Sequence, residues 1–243
     1  MKKIITILLL TLVISICNAQ TWENYIKNFP RKSSTVVKDY QGNIIKNKSL
    51  GVLNVRINSV QQCADAAIRL RAEYFYSKKE YDKISFKLTS GLEVPFSKWA
   101  QGYRVRVSGN KASLFKSKVS KDYSRENFEA YLKIIMTYAG SASLARDLKK
   151  RTNYPEIGDL LIIPGYPGHV VIIIDKKIIN GVNYYLFANS WIPAQDIEII
   201  AGHNPKYPNI RNYTPIVNMK NSIYINAYNF KPYKHTYKWH NQN

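Results

Sequence analysis

Cysteine is nearly missing from this chain: there are 2 in 243 residues, Cys17 and Cys63. No zinc-type Cys/His spacing, Walker loop or dinucleotide fingerprint occurs, so no metal and no cofactor is expected. His203, His235 and His240 also lack metal-ligand spacing. Acidic residues are scarce, 16 against 36 Lys and Arg, for a formal charge of +20. That excess favours anionic partners such as acidic lipid, polysaccharide or carboxylate-rich peptide. The basic residues are scattered, however, in short runs such as Lys78-Lys79 and Lys149-Lys150-Arg151. A genome whose base bias favours Lys, Asn, Ile and Tyr codons would give the same composition. Nucleic acid is disfavoured because no reading motif is present. Long apolar runs are also lacking after the first residues, so the mature chain is expected to carry no transmembrane segment. Internal repeats and linkers are absent too, which predicts one domain over residues 20–243 with an N-terminal arm and an irregular C-terminal tail.

What is present begins at the first residue. Lys2 and Lys3 precede an apolar run from Ile4 to Ile16, and Ala19 offers a small exit residue. These are the parts of a secretory signal peptide over residues 1–19. The protein is therefore expected to be exported, periplasmic or extracellular. Loss of Lys2 and Lys3 would take the formal charge from +20 to +18. Lipid anchoring through Cys17 is the alternative, disfavoured by the bulky Ile16. With Cys17 removed, Cys63 has no intramolecular disulfide partner. An unpaired thiol in an oxidising compartment is buried and inert, paired between chains, or kept for its reactivity.

Periodicity predicts an α+β domain. Leu53 to Ile57 alternates like a strand, and Asn58 and Ser59 read as caps for a helix from Val60 to about Tyr76. Val60, Cys63, Ala67, Leu70 and Tyr74 form the apolar stripe of that helix. Strands are expected at 84–89 and 103–107, a Ser124-capped helix up to Tyr138, and a short helix near 143–150. Strands at 158–163, 168–174 and 184–188 follow, with Asn180-Gly181 as a two-residue hairpin turn. A last short strand is expected at 195–200.

Three pieces of this order could carry chemistry: Gln62-Cys63 near a helix start, Gly168-His169 at a strand start, and Asn189-Ser190-Trp191 at the end of the next strand. A cysteine near a helix N-terminus has its thiolate favoured by the helix dipole. An imidazole can take its proton, and an amide can orient the imidazole. Gln62 and the Cys63 backbone N–H could hold an oxyanion. In an ideal hairpin register Ile172 pairs with Asn189, and His169 and Asn189 face opposite sides. A bulge would reunite them. Ser190 or Gln195 could otherwise be the third member.

Helix-borne Cys, strand-borne Gly-His and a polar residue on the following strand resemble the papain-like fold, closest in style to the NlpC-type and CHAP amidases of cell-wall peptides. Gly158-Asp159 and Gly168-His169-Val170-Val171-Ile172 look like their strand pair, and Asn189-Ser190-Trp191 is similar to the papain triplet. The resemblance implies a papain-like (NlpC-type) core, with a Cys-bearing helix packed on an antiparallel sheet. It implies catalytic Cys63, His169 and Asn189 acting on peptide or peptidoglycan-like amides. A second resemblance covers most of the mature chain. Gln61-Gln62-Cys63-Ala64-Asp65-Ala66, Arg69-Leu70-Arg71-Ala72-Glu73-Tyr74, Pro167-Gly168-His169 and Pro193-Ala194-Gln195-Asp196-Ile197 are similar to a family of exported bacterial proteins of unknown function. Members of that family often carry Gln where this chain has Asn189.

Each residue also has a plainer reading. Cys63 could be a buried small hydrophobe, His169 a satisfied strand-end residue, and Asn189 a turn former. Asp65, Arg69 and Glu73 recur at i, i+4 as an ion-pair ladder, or else Arg69 or Arg71 meets a substrate carboxylate. Asp159 reads as a turn residue. Gln62, Arg69, Trp191 and Gln195 are the candidate substrate-binding residues. Two functions follow: an exported cysteine amidase or peptidase, or a non-catalytic papain-like domain that binds an anionic envelope glycan or peptide.

Overall fold

The computed structural model describes residues 20–200, 209, 211–216 and 236–239. Cys17, the leader, His203, His235, His240 and most of the tail lie outside them, and so do the expectations made for them.

The N-terminal arm is more regular than its polar sequence suggests. Thr21 caps a short helix, α1 (Trp22–Lys27), by accepting from the Asn24 N–H at 3.2 Å. A two-stranded ribbon follows, β1 (Val37–Lys38) and β2 (Ile44–Lys46). Residues 53–57 form no strand. Val52 and Leu53 make isolated bridges instead, because successive backbone N–H groups serve different neighbours: Leu53 bonds to Ile197 O and Asn54 to Pro30 O.

Helix α2 (Cys63–Ser77) begins three residues later than expected. The Asn58 side chain accepts from the Val60 N–H at 3.1 Å, and its carbonyl accepts from Gln61. Asn58 therefore closes its own turn, an Asx turn that competes with helix capping. Gln62 becomes the N-cap, and Asp65 accepts from its backbone N–H at 2.9 Å. The apolar stripe is also corrected: residues 64–75 are buried all round, charged ones included.

The chain continues through β3 (Ser85–Lys87), β4 (Glu93–Pro95), α3 (Phe96–Ala100) and a hairpin of β5 (Tyr103–Ser108) with β6 (Lys111–Lys116). Ser124 caps α4 (Arg125–Tyr138), and α5 spans Ser141–Asp147. Then come β7 (Lys149–Lys150), β8 (Leu160–Ile163), β9 (His169–Ile179), β10 (Val182–Asn189), β11 (Glu198–Ile200), β12 (Thr214–Ile216) and β13 (Thr236–Lys238). Strands β7 to β13 form one 7-stranded sheet in the order β11-β10-β9-β8-β13-β7, with β12 also on β10. Its pairings are antiparallel. The architecture is thus α+β, with helices on an antiparallel sheet.

Alternation along β9 and β10 splits the core. Val170, Ile172, Ile174, Leu186 and Ala188 face the larger cluster that holds Ala66, Ala67 and Leu70 of α2. Val171, Ile173, Tyr185 and Phe187 face a smaller one. Asn180 and Gly181 close the hairpin with φ of 50° and 76°, the left-handed pair that a two-residue turn of this kind requires.

Candidate active site

The register of β9 on β10 decides the geometry. Leu186 pairs with Asp175, but Phe187 pairs with Ile173, so Ile174 is an extra residue. This bulge shifts every later pair by one, and Ile172 meets Ala188 instead of Asn189. Because side chains alternate, one residue of slip changes which face a side chain occupies. His169 and Asn189 thereby come to one face as diagonal neighbours. Their side chains meet, His169 Nε2 to Asn189 Nδ2, at 3.1 Å. The amide N–H donates to a bare Nε2 in this orientation. Turned through 180°, the amide oxygen accepts from Nε2–H, and Nδ1 is then the nitrogen that carries the lone pair. Beyond the end of β10, Trp191 packs on His169, with ring centroids 4.4 Å apart and ring planes at 65°.

The sheet end carrying His169 shares a cleft of about 540 Å³ with the first turn of α2. Gln62, Cys63, Asp65, His169 and Trp191 all line it. Residues 165–168, Met136 and Ser141 close its sides. Gly168 is there because nothing larger fits: a Cβ would lie 2.1 Å from Ser141 Oγ and 2.4 Å from Gly165 O. At the mouth, Tyr166 is fully exposed and Ile192 is 63% exposed.

Cys63 is the first residue of α2 and is partly accessible. Burial pushes its thiol up, and the Asp65 carboxylate pushes the same way. Backbone hydrogen bonds from Val170 and Ala64 work against them by favouring the thiolate. Burial also pushes the His169 imidazole down to about 4. At neutral pH Cys63 is therefore a thiol and His169 a neutral imidazole, the form that can accept a proton.

Two expected binding residues stand elsewhere. Arg69 is fully buried and bonds to Gln61 at 3.1 Å, Glu73 at 3.4 Å and Glu129 at 2.7 Å. It faces no substrate. Gln195 is buried as well, bridged to Asp39, and its carbonyl accepts from Ser190 Oγ at 2.7 Å. Neither lines the cleft. Ser190 is on the other face from His169, because the bulge exchanged its place with that of Asn189. Asp159 is buried and paired with Arg151.

Sequence reasoning missed Asp65 as a cleft residue. Its place in the i, i+4 series suggested a rung of a ladder, yet its carboxylate turns back to the Gln62 N–H. Its other oxygen, Oδ1, is buried and has no hydrogen-bond partner. Burial pushes this carboxyl up to about 7. The signal was available in the spacing, since Asp65 stands two residues after the cysteine at a helix start.

Among the described residues, no cluster of His, Cys, Asp and Glu could hold a metal ion, and no helix is long and apolar enough to cross a membrane. Residues 14–236 match the model of a family described as a domain of unknown function (4846). No curated protein and no solved structure matches the chain. The chain belongs to that family of unknown function.

Proposed function

We propose that this family member is a cysteine amidase or peptidase in which Cys63 attacks, His169 takes and returns the proton, and Asn189 orients the imidazole. The observation that carries the reading is the 3.1 Å contact of the buried Asn189 with His169, which lines the same cleft as Cys63. It depends on a bulge that places both residues on one face. The roles follow from chemistry. The sulphur adds to an amide carbonyl as His169 removes its proton, and the protonated His169 then releases the amine leaving group. Water hydrolyses the thioester by the same base. The Cys63 backbone N–H and the exposed Gln62 side chain can stabilise the oxyanion. A helix N-terminus under the sulphur and an antiparallel sheet under the imidazole agree with a papain-like core of the NlpC type. Peptide or peptidoglycan-like amides are the proposed substrates. Residues 1–19 are proposed as an export signal, which would deliver the protein to the envelope as a single domain over 20–243.

A second reading has its own observation. Burial raises the thiol and lowers the imidazole, as in a cleft that holds a ligand without turnover. The same scaffold would then bind an anionic envelope glycan or peptide.

The deciding experiment incubates the protein with purified peptidoglycan and with unblocked and blocked peptides, and measures newly released amino groups. The enzyme reading expects release that Cys63→Ala abolishes and that Asn189→Ala lowers about 10- to 100-fold, the usual weight of an orienting or proton-transfer partner. Release that survives Cys63→Ala overturns it.

A further inference from the structure

The first turn of α2 holds a second chemical group besides the thiol. Asp65 is 5% exposed, lines the cleft, and follows Cys63 by two residues. One carboxylate oxygen is occupied by the Gln62 N–H at 2.9 Å. The other, Oδ1, is buried with no hydrogen-bond partner. A buried acceptor left unpaired costs about 1–3 kcal/mol, more when charged. Such an atom is accounted for when a water, an ion or a ligand supplies the missing donor, and this one belongs to a residue that lines a cleft.

The neighbourhood narrows the ligand. Arg69, one turn along, is the nearest cation of α2 on that side, but it is committed to Glu73, Glu129 and Gln61. The carboxylate also makes the thiol harder to ionise. Arg69 favours the Asp65 anion only through space, and a nucleophile beside an anion with no cation bonded to it is poorly activated unless the substrate brings one on arrival. Cys63 and Asp65 share one helical turn, in which each residue rises about 1.5 Å. The charge that meets Asp65 and the carbonyl that meets Cys63 must then lie within one or two residues of each other.

We propose that Asp65 is a specificity-determining residue that pairs with the free amino-terminal ammonium of the substrate, so that the cleft takes the amino end of a peptide. This rests on the thiol reading of the cleft. Pairing with the ammonium would place the first or second carbonyl over the sulphur. It would also neutralise the charge that adds to burial in disfavouring the thiolate, so that binding of the right end of the peptide favours the nucleophile. The exposed Tyr166 and Ile192 at the mouth flank the space left for the first side chains.

The test labels Cys63 in the full chain with three methanethiosulfonates of similar size: aminoethyl (cationic), ethyl (neutral) and sulfonatoethyl (anionic). Rates are read at pH 8 by mass spectrometry on the peptide containing Cys63. A chain of charge +20 should by itself favour the anionic reagent. The proposal expects the cationic reagent to be fastest in wild type. It also expects the cationic-to-neutral ratio to fall about tenfold in Asp65→Asn, the size of one pKa unit of interaction. Asn keeps an oxygen for the Gln62 N–H, and the comparison of reagents on wild type needs no variant at all. An unchanged ratio with a reactive thiol overturns this proposal and leaves the thiol reading standing. A thiol closed to all three reagents overturns both. An aminohexyl reagent that outpaces the aminoethyl one would put the charge on a long side chain and overturn the amino-terminal placement.

Discussion

Helix α2 contains two populations of buried charge, and they are treated differently. In its middle, Arg69 and Glu73 join Arg125 and Glu129 of α4 in a network of ion pairs in which every charge has an opposite charge bonded to it, although Arg69 Nη2 itself has no hydrogen-bond partner. Arg125 reaches Glu73 at 2.5 and 2.6 Å and Glu129 at 2.7 Å, while Arg69 reaches Glu129 at 2.7 and 2.8 Å. The network pins one helix to the other. At the first turn, Asp65 is equally buried but keeps an oxygen without a partner beside a thiol. Charges that satisfy one another hold a fold together. A charge left unsatisfied at a cleft costs stability and is available to a ligand.

The largest expected effect breaks the first half of this comparison. Arg69→Ala removes one of the two guanidinium groups that balance Glu73 and Glu129 and leaves both carboxylates to Arg125, so it should cost about 3 kcal/mol in urea unfolding, the low end for broken buried pairs. A loss below about 1 kcal/mol would mean that the network is ornamental.

Next is the pH dependence of stability, where two cleft residues pull in opposite directions. Unfolded, the imidazole of His169 takes a proton below about 6.5; folded, only below about 4. Its contribution is therefore complete above about 6.5 and is lost as pH falls through that window. Asp65 behaves in the reverse sense. Folded, it keeps its proton up to about 7, against 3.8 when unfolded, so its effect lowers stability as pH rises from about 4 to about 7. Each shift is worth at most about 3–4 kcal/mol. In wild type the two slopes largely cancel. His169→Gln should leave stability falling between pH 4 and 7, and Asp65→Asn should leave it rising over pH 4 to 6.5. Chemical denaturation at half-unit pH steps measures both slopes, and parallel curves for the two variants would contradict the assignment.

A smaller effect concerns the wall of the cleft. Gly168→Ala places a methyl group against Ser141 and Gly165 and should cost about 1–3 kcal/mol, the usual range for overpacking. Adding Ser141→Gly should recover part of it. The smallest effect sharpens the second half of the comparison. At pH 4, where the folded carboxyl keeps its proton, Asp65→Asn should change stability by less than about 1 kcal/mol, because it exchanges one neutral group for another while keeping the acceptor for Gln62. A clear loss of stability would assign Asp65 to the fold.

Much of this was legible in the sequence, in a particular way. Residue identity and periodicity give α4 with its Ser124 cap, the strands that became β8 to β10, and the Asn180-Gly181 turn. Cys63, His169 and Asn189 could be singled out by type. Their juxtaposition could not, because it depends on the bulge at Ile174, which nothing in a run of β-branched residues announces. The start of α2 was misjudged because Asn58 can cap a helix or close its own turn, and only tertiary packing chooses. Arg69 looked available because its partner Glu129 is 60 residues away. The arm, too, hid a helix and a ribbon whose strands are too short to show a period.

The most direct measurement of the central claim is the rate at which iodoacetamide modifies Cys63 across pH, in wild type and in His169→Ala. If His169 serves the thiol, wild type keeps a reactive component at neutral pH and below. The variant loses that component and reacts only on an alkaline limb above the usual thiol range. Profiles that coincide, or a wild-type thiol that resists alkylation until the protein is unfolded, would contradict a working pair and leave the cleft as a binding site.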